Sequence, residues 1–136
     1  MVSRVTYGGI VSMNETQKDS DKYVSMVVDA GVNYFDVAPS YGDAQERLGP
    51  SLEPYRKNVY LACKTQIRDA KGAKAELLKS LEVLRTDYFD VYQLHAMTTK
   101  ENLEQVFAPG GAMETLVWAK REGIIRNIGI TTHSED

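Results

Sequence analysis

A chain of 136 residues, 43% hydrophobic and 26% charged, has the size of one ordinary domain and enough apolar side chains to bury a core. A net charge of -3 without any basic block excludes the electrostatic footprint of a nucleic-acid-binding protein. The apolar runs are too short to span a bilayer, the N-terminus lacks the charged-then-apolar order of a signal peptide, and the lone Cys63 can neither close an internal disulfide nor anchor an iron–sulfur cluster, so the expectation is a cytoplasmic protein with no membrane partner.

Glycine, proline and acidic residues punctuate the chain. The β-branched run VSRVTYGGI, closed by Gly8 and Gly9, predicts a first strand. DSDKYVSMVVDAG has Tyr23, Val24, Val27 and Val28 at helical spacing, acidic residues at its start and Gly31 just past its end. VNYFDVA predicts the second strand, and DAQERLGPSLEPY a short helix interrupted by Pro50 and Pro54. NVYLACK is the third strand. AKAELLKSLEVLR is the clearest helix, with Leu77, Leu78, Leu81 and Leu84 on one face. YFDVYQLH is the fourth strand, followed by a longer connection, AMTTKENLEQVFAPGGA, with room for a helical turn. METLVWAKREG predicts a helix ending at Gly123, and IIRNIGIT the fifth strand. No internal repeat or low-complexity segment interrupts this order.

Strands alternating with amphipathic helices imply right-handed βαβ units and a parallel sheet, either a barrel or a doubly wound open sheet. The first strand-to-helix junction, YGGIVSMNETQ, has adjacent glycines but not the G-x-G-x-x-G spacing that seats a pyrophosphate on a helix N-terminus, and no G-x-x-x-x-G-K-[ST] occurs. Three successive strands finish on an ionisable residue: Asp36, Lys64 and His95. In a (β/α) barrel the carboxyl ends of neighbouring strands converge on one rim, so these three should face a common pocket, with Tyr41 reaching in from the loop after the second strand.

That set has a coherent chemistry. A phenol is a weak proton donor near neutrality; a lysine ammonium beside it favours the phenolate. A carboxylate paired with the lysine keeps it charged despite partial burial, and a neutral histidine can orient a substrate oxygen. The result is a general acid suited to protonating a carbonyl oxygen as a hydride arrives, with no obvious covalent nucleophile.

In VSRVTYGGI, GVNYFDVAPSYGDAQERLG, LACK, SLEVLRTDYFDVYQLH and GIIRNIGITTHS, taken in order, the chain resembles the aldo-keto reductase family over essentially its whole length. The resemblance implies an eight-stranded (β/α) barrel and NAD(P)H-dependent reduction of aldehydes and ketones. It puts the catalytic tetrad on Asp36, Tyr41, Lys64 and His95, with Tyr41 the general acid, Lys64 tuning it, Asp36 holding Lys64 and His95 orienting the carbonyl. It also puts Asp36 in contact with the cofactor, and the pair that holds the nicotinamide carboxamide on Thr131 and Thr132. Thr131 is a conservative replacement of the family's serine, whereas Thr132 lacks the amide of the family's asparagine. NADPH is the expected cofactor and a small carbonyl compound the expected substrate.

Other residues invite competing readings. Tyr60 and Lys64 match the Y-x-x-x-K of short-chain dehydrogenases, but on a strand they stand about 13 Å apart rather than on one helical face. Glu46 and Arg47 should stabilise the loop around Tyr41, and Asp90, at the start of its strand, should serve stability. Cys63 should point to the helix layer, His133 should be exposed, Trp118 should pack, and Lys100, Glu101 and Glu104 read as solvated loop charge. Two widely separated histidines offer no metal site.

A complete (β/α) barrel needs about 250 residues. The expectation for residues 1–136 is therefore a single truncated domain: a partial, half-type TIM barrel of about five parallel strands and four main helices. Its exposed parallel edges should promote homo-oligomers. Two functions follow: an NADPH-dependent carbonyl reductase, or a barrel segment that associates and binds small molecules without turnover.

Overall fold

The computed structural model describes residues 1–132. Five parallel strands, β1 (Tyr7–Gly8), β2 (Tyr34–Asp36), β3 (Tyr60–Thr65), β4 (Phe89–Leu94) and β5 (Ile125–Ile130), lie side by side in chain order. Five helices connect them: α1 (Gln17–Asp29), α2 (Ala44–Leu52), α3 (Ala70–Val83), α4 (Lys100–Phe107) and α5 (Ala112–Arg121). Strand order without reversal is that of a barrel wall; a doubly wound sheet would turn back at a switch point. This is the half-type (β/α) barrel expected, with one helix more.

The extra helix is α4, in the connection where only a helical turn was expected. Thr99 caps it by accepting a hydrogen bond from Asn102 N–H at 3.1 Å, and buried Val106 anchors it to the core. Lys100, Glu101 and Glu104 therefore stand on a helix rather than in a loop, still exposed, with Lys100 and Glu104 one turn apart as an ion pair. Pro50, expected to interrupt α2, lies inside it. Side chains of Gln17 and Ser51 bond the Arg47 carbonyl there, and Gly49 packs where a Cβ would collide with the Val83 carbonyl oxygen.

The first strand is shorter than its β-branched sequence predicts. Before Tyr7 the segment is tethered by side chains instead of a ladder: Ser3 N–H donates to Asn33 Oδ1 and Asn33 N–H to Ser3 Oγ. Propensity without a paired backbone does not make a strand.

The core lies between the outer face of the sheet and the helices. Phe35, Leu61, Cys63 and Leu94 from the strands meet Leu48, Leu77 and Leu116 from the helices, all buried. The other face of the sheet is only half covered: Tyr34, Tyr60, Val91 and Gln93 are partly exposed and Asn127 is exposed.

Candidate active site

Strand register decides which side chains meet. Asp36 pairs with Ala62, so Lys64, two residues on, leaves β3 from the same face. Lys64 pairs with Gln93, so His95, two residues on again, leaves from that face beyond the end of β4. Each strand thus contributes its polar residue two positions later than its neighbour, as the tilt of a barrel wall requires. Three residues that look scattered in the sequence form one staircase along the rim.

Tyr41 joins them through a tight loop. Tyr41 N–H donates to the Ala38 carbonyl at 3.1 Å, and the Tyr41 carbonyl accepts from Ala44 N–H at 3.0 Å as α2 begins. Gly42 follows at φ 53°, a left-handed conformation, and packs so tightly on Met13 that a Cβ would meet its Cγ at 3.0 Å. Asp43 then ties this loop to the one after β1, accepting from Asn14 N–H at 2.7 Å and pairing with Arg47 at 3.2 Å. The Asn14 hydrogen bond, more than the Arg47 charge, draws the Asp43 carboxyl below its ordinary range. Arg47 therefore supports the Tyr41 loop through Asp43, in keeping with its sequence reading.

At the centre is the Lys64 ammonium, its side chain 4% exposed. It donates to Asp36 Oδ2 at 2.5 Å, to Tyr41 Oη at 3.3 Å and to the Val37 carbonyl at 3.4 Å, which uses all three of its donors. Tyr41 Oη accepts from Lys64, so its own proton is available to another acceptor. The rings of Tyr41 and buried His95 meet edge to face, with centroids 6.1 Å apart. A donor phenol and an imidazole thus border one point of the rim, with a cation behind the phenol.

Two other phenols are less suited to give up a proton. Tyr34 lies two residues below Asp36 on the same face; burial, then the charges of Asp36 and Asp90, raise its pKa. Burial also pushes that of Tyr92 far up in the helix layer.

Asp36 Oδ1 is buried and accepts no hydrogen bond among the described residues, so one carboxylate oxygen stays available to a hydroxyl group. Thr131, just past β5, accepts from Ala96 N–H through Oγ1 at 3.1 Å and keeps its hydroxyl proton to donate. Thr132 stands beside it, exposed. These are the three residues matched by resemblance to cofactor contacts, and the polar atoms they offer fit one end of a nicotinamide nucleoside: an acceptor for ribose and a donor for a carboxamide oxygen. Among the described residues no group of three or more His, Cys, Asp or Glu could hold a metal. No described helix is long and apolar enough to cross a membrane.

The remaining sequence readings divide. Cys63 faces the helix layer, where Gln45 Nε2 approaches its Sγ at 3.3 Å and burial pushes the thiol up to about 12. Tyr60 and Lys64 sit on one strand, so the dehydrogenase spacing is a coincidence. Trp118 packs beneath the Lys74 ammonium, 3.7 Å from its ring centroid. His133 lies outside the described residues. Sequence reasoning missed two arginines. Arg56 holds Asp90 at the opposite end of the strands, and Arg68 reaches from the loop after β3 to the backbone of His95. Neither lies in a recognisable pattern; only the chain's return in three dimensions brings them to their partners.

Comparison with known proteins follows the same lines. The model of the Aldo/keto reductase family matches residues 6–136. Aldo-keto reductase YhdN of Bacillus subtilis is 31% identical over 93% of this chain and 41% of its own length. The solved structure of aldo-keto reductase AKR11C1 from Bacillus halodurans in its holo form superposes with a TM-score of 0.78 at 28% identity, covering 96% of this chain and 46% of that one. An aldo-keto reductase from Klebsiella pneumoniae in complex with NADPH gives 0.79 at 25% identity, over 98% of this chain and 47% of that one. The chain spans about two fifths of the length of the curated relatives it matches.

Proposed function

The chain belongs to the aldo/keto reductase family, and on that premise we propose that it reduces the carbonyl group of a small aldehyde or ketone with NADPH, Tyr41 acting as general acid. The observation that carries this reading is the Lys64 ammonium, held between Asp36 Oδ2 and Tyr41 Oη at 2.5 and 3.3 Å. When bound, the reduced nicotinamide supplies the hydride that adds to the carbonyl carbon. Tyr41 donates its proton to the carbonyl oxygen, giving the alcohol. Lys64 stabilises the negative charge that grows on the phenol oxygen as the proton leaves, and Asp36 holds the Lys64 ammonium in place beside it. His95, with its ring edge to face with Tyr41, orients the carbonyl oxygen toward the phenol. Asp36 Oδ1 and the Thr131 hydroxyl would hold the ribose and carboxamide of the cofactor, with Thr132 beside them. The NADPH complex of the Klebsiella pneumoniae relative supports that choice of cofactor.

The test is NADPH oxidation in the presence of a reactive aldehyde. Tyr41→Phe should lower kcat by about a thousandfold, within the range of general acid catalysis. Turnover unchanged by that substitution would sink the mechanism.

A second reading, a barrel segment that self-associates and binds small molecules without turnover, is favoured by the half-covered inner face and by the outer positions of β1 and β5 in the sheet. Solution mass and NADPH titration on one sample separate the two. An oligomer that binds no NADPH supports the second; saturable binding supports the first.

A further inference from the structure

We propose that Arg68 is a positioning residue for His95: its guanidinium holds the backbone from which the imidazole projects, and so sets the direction in which His95 meets a carbonyl oxygen. The second half rests on the reductase reading above; the first stands on the geometry.

His95 follows the last residue of β4, and Arg68 bonds its backbone carbonyl there. Arg68 Nη2 donates to the His95 carbonyl at 2.7 Å and to the Ala96 carbonyl at 3.1 Å, while Nε donates to Asn102 Oδ1 on α4 at 3.0 Å. The Arg68 carbonyl in turn accepts from Ala112 N–H at 2.8 Å, at the start of α5. The guanidinium is thus a bracket between the rim and the helices behind it.

The bracket acts where the chain is least inclined to hold still. Ala96 has φ 54°, in the left-handed region that a non-glycine residue seldom adopts without support. Support comes from both sides. His95 N–H donates to the Thr65 carbonyl at 2.9 Å, Ala96 N–H to Thr131 Oγ1 at 3.1 Å, and Met97 N–H to the Thr131 carbonyl at 2.8 Å. Neighbouring strands therefore hold the N–H groups, and Arg68 holds the carbonyls between them. Among the described residues no carboxylate lies within ion-pairing distance of Arg68, although burial lowers its pKa. A cation kept partly buried without an acid partner is bound through its acceptors, here the two carbonyls at the rim.

The test uses the 136-residue chain and the imidazole 1H–15N signals, readable because the chain has two histidines, with His133→Gln identifying those of His95. Arg68→Met should shift and broaden the His95 signals, and should lower kcat by about 10- to 100-fold with the KM for NADPH unchanged. Arg68→Lys, a point charge in place of a fork, should produce a smaller shift of the same sign. Thr16→Val, which removes the side-chain acceptor that caps α1 at Asp19 N–H, should lower stability and leave the His95 signals in place. Wild-type signals in Arg68→Met overturn the proposal whatever happens to stability, and if that variant does not fold, unmoved signals in Arg68→Lys overturn it. If wild type has no reductase activity, the reaction proposed above fails while the signals still decide the role of Arg68.

Discussion

The sheet carries a carboxylate paired with a cation at each end, and the two pairs are built differently. At the amino end, Asp90 is 5% exposed and fully engaged: it accepts from Arg56 at 3.1 Å, Leu61 N–H at 3.0 Å and Arg126 at 2.9 Å. The two guanidinium groups also cover the Tyr88 ring, 4.0 and 4.3 Å from its centroid, and Arg56 bonds the carbonyls of Val59 and Tyr88. At the carboxyl end, Asp36 is 27% exposed and uses one oxygen for Lys64 while the other accepts nothing among the described residues. A network with every valence satisfied holds a fold together; one with an acceptor and a proton left uncommitted can take up a ligand. Opposite ends of one sheet thus differ as barrel architecture leads one to expect, with the satisfied network at the amino end and the proposed reaction site at the carboxyl end.

Substitutions at the two ends should separate these roles. The largest effect is on catalysis: the thousandfold loss expected for Tyr41→Phe corresponds to about 4 kcal/mol of transition-state stabilisation. It should leave the melting temperature nearly unchanged, because the Tyr41 hydroxyl serves Lys64 only as an acceptor. Parallel losses of activity and melting temperature would erase the distinction. Next comes Asp90→Ala, which leaves Arg56 buried beside no carboxylate and should cost about 3–5 kcal/mol in denaturant unfolding. Asp36→Asn should cost less than about 2 kcal/mol by the same measurement, since Lys64 keeps its other acceptors and the site is partly open to water. Equal costs for these two would break the comparison. Arg126→Ala should cost less than about 1 kcal/mol, because that side chain is 57% exposed and Arg56 still holds Asp90.

The smallest effect near neutrality concerns Cys63. Its folded-state pKa of about 12 lies above the ordinary 9.0, so the folded chain keeps a proton that the unfolded chain releases. The corresponding stability is fully present below about pH 9 and is lost as pH rises toward 12. Iodoacetamide at pH 8 should therefore label the thiol no faster than the protein unfolds. Rapid labelling of the folded chain would show that the layer between β3 and the α2 and α3 helices is open.

Much of the molecule is legible in its sequence, for local reasons. Leu77, Leu81 and Leu84 recur at helical spacing, although Leu78, read onto the same face, is exposed, and Asp36, Lys64 and His95 close apolar runs, so element order and the four rim residues follow from short stretches of chain. Segments governed by long-range partners do not. The connection after β4 contains a real helix because Val106 finds a buried place, and VSRVT fails to extend β1 because it is tethered through side chains. Pro50 sits within α2, beside an Arg47 carbonyl bonded by Gln17 of α1 and a Gly49 packed on Val83.

By itself the sequence determined the alternation of parallel strands and helices and the four polar residues that stand at the rim, since hydrophobic period and strand-end chemistry are properties of short stretches. Only the tertiary structure decided the two-residue stagger that brings Asp36, Lys64 and His95 together, the Asp36 oxygen that accepts nothing among the described residues, and the reach of Arg56 and Arg68 to their partners. Hydrogen bonds between residues some thirty positions apart depend on where the chain returns, and no local pattern encodes that.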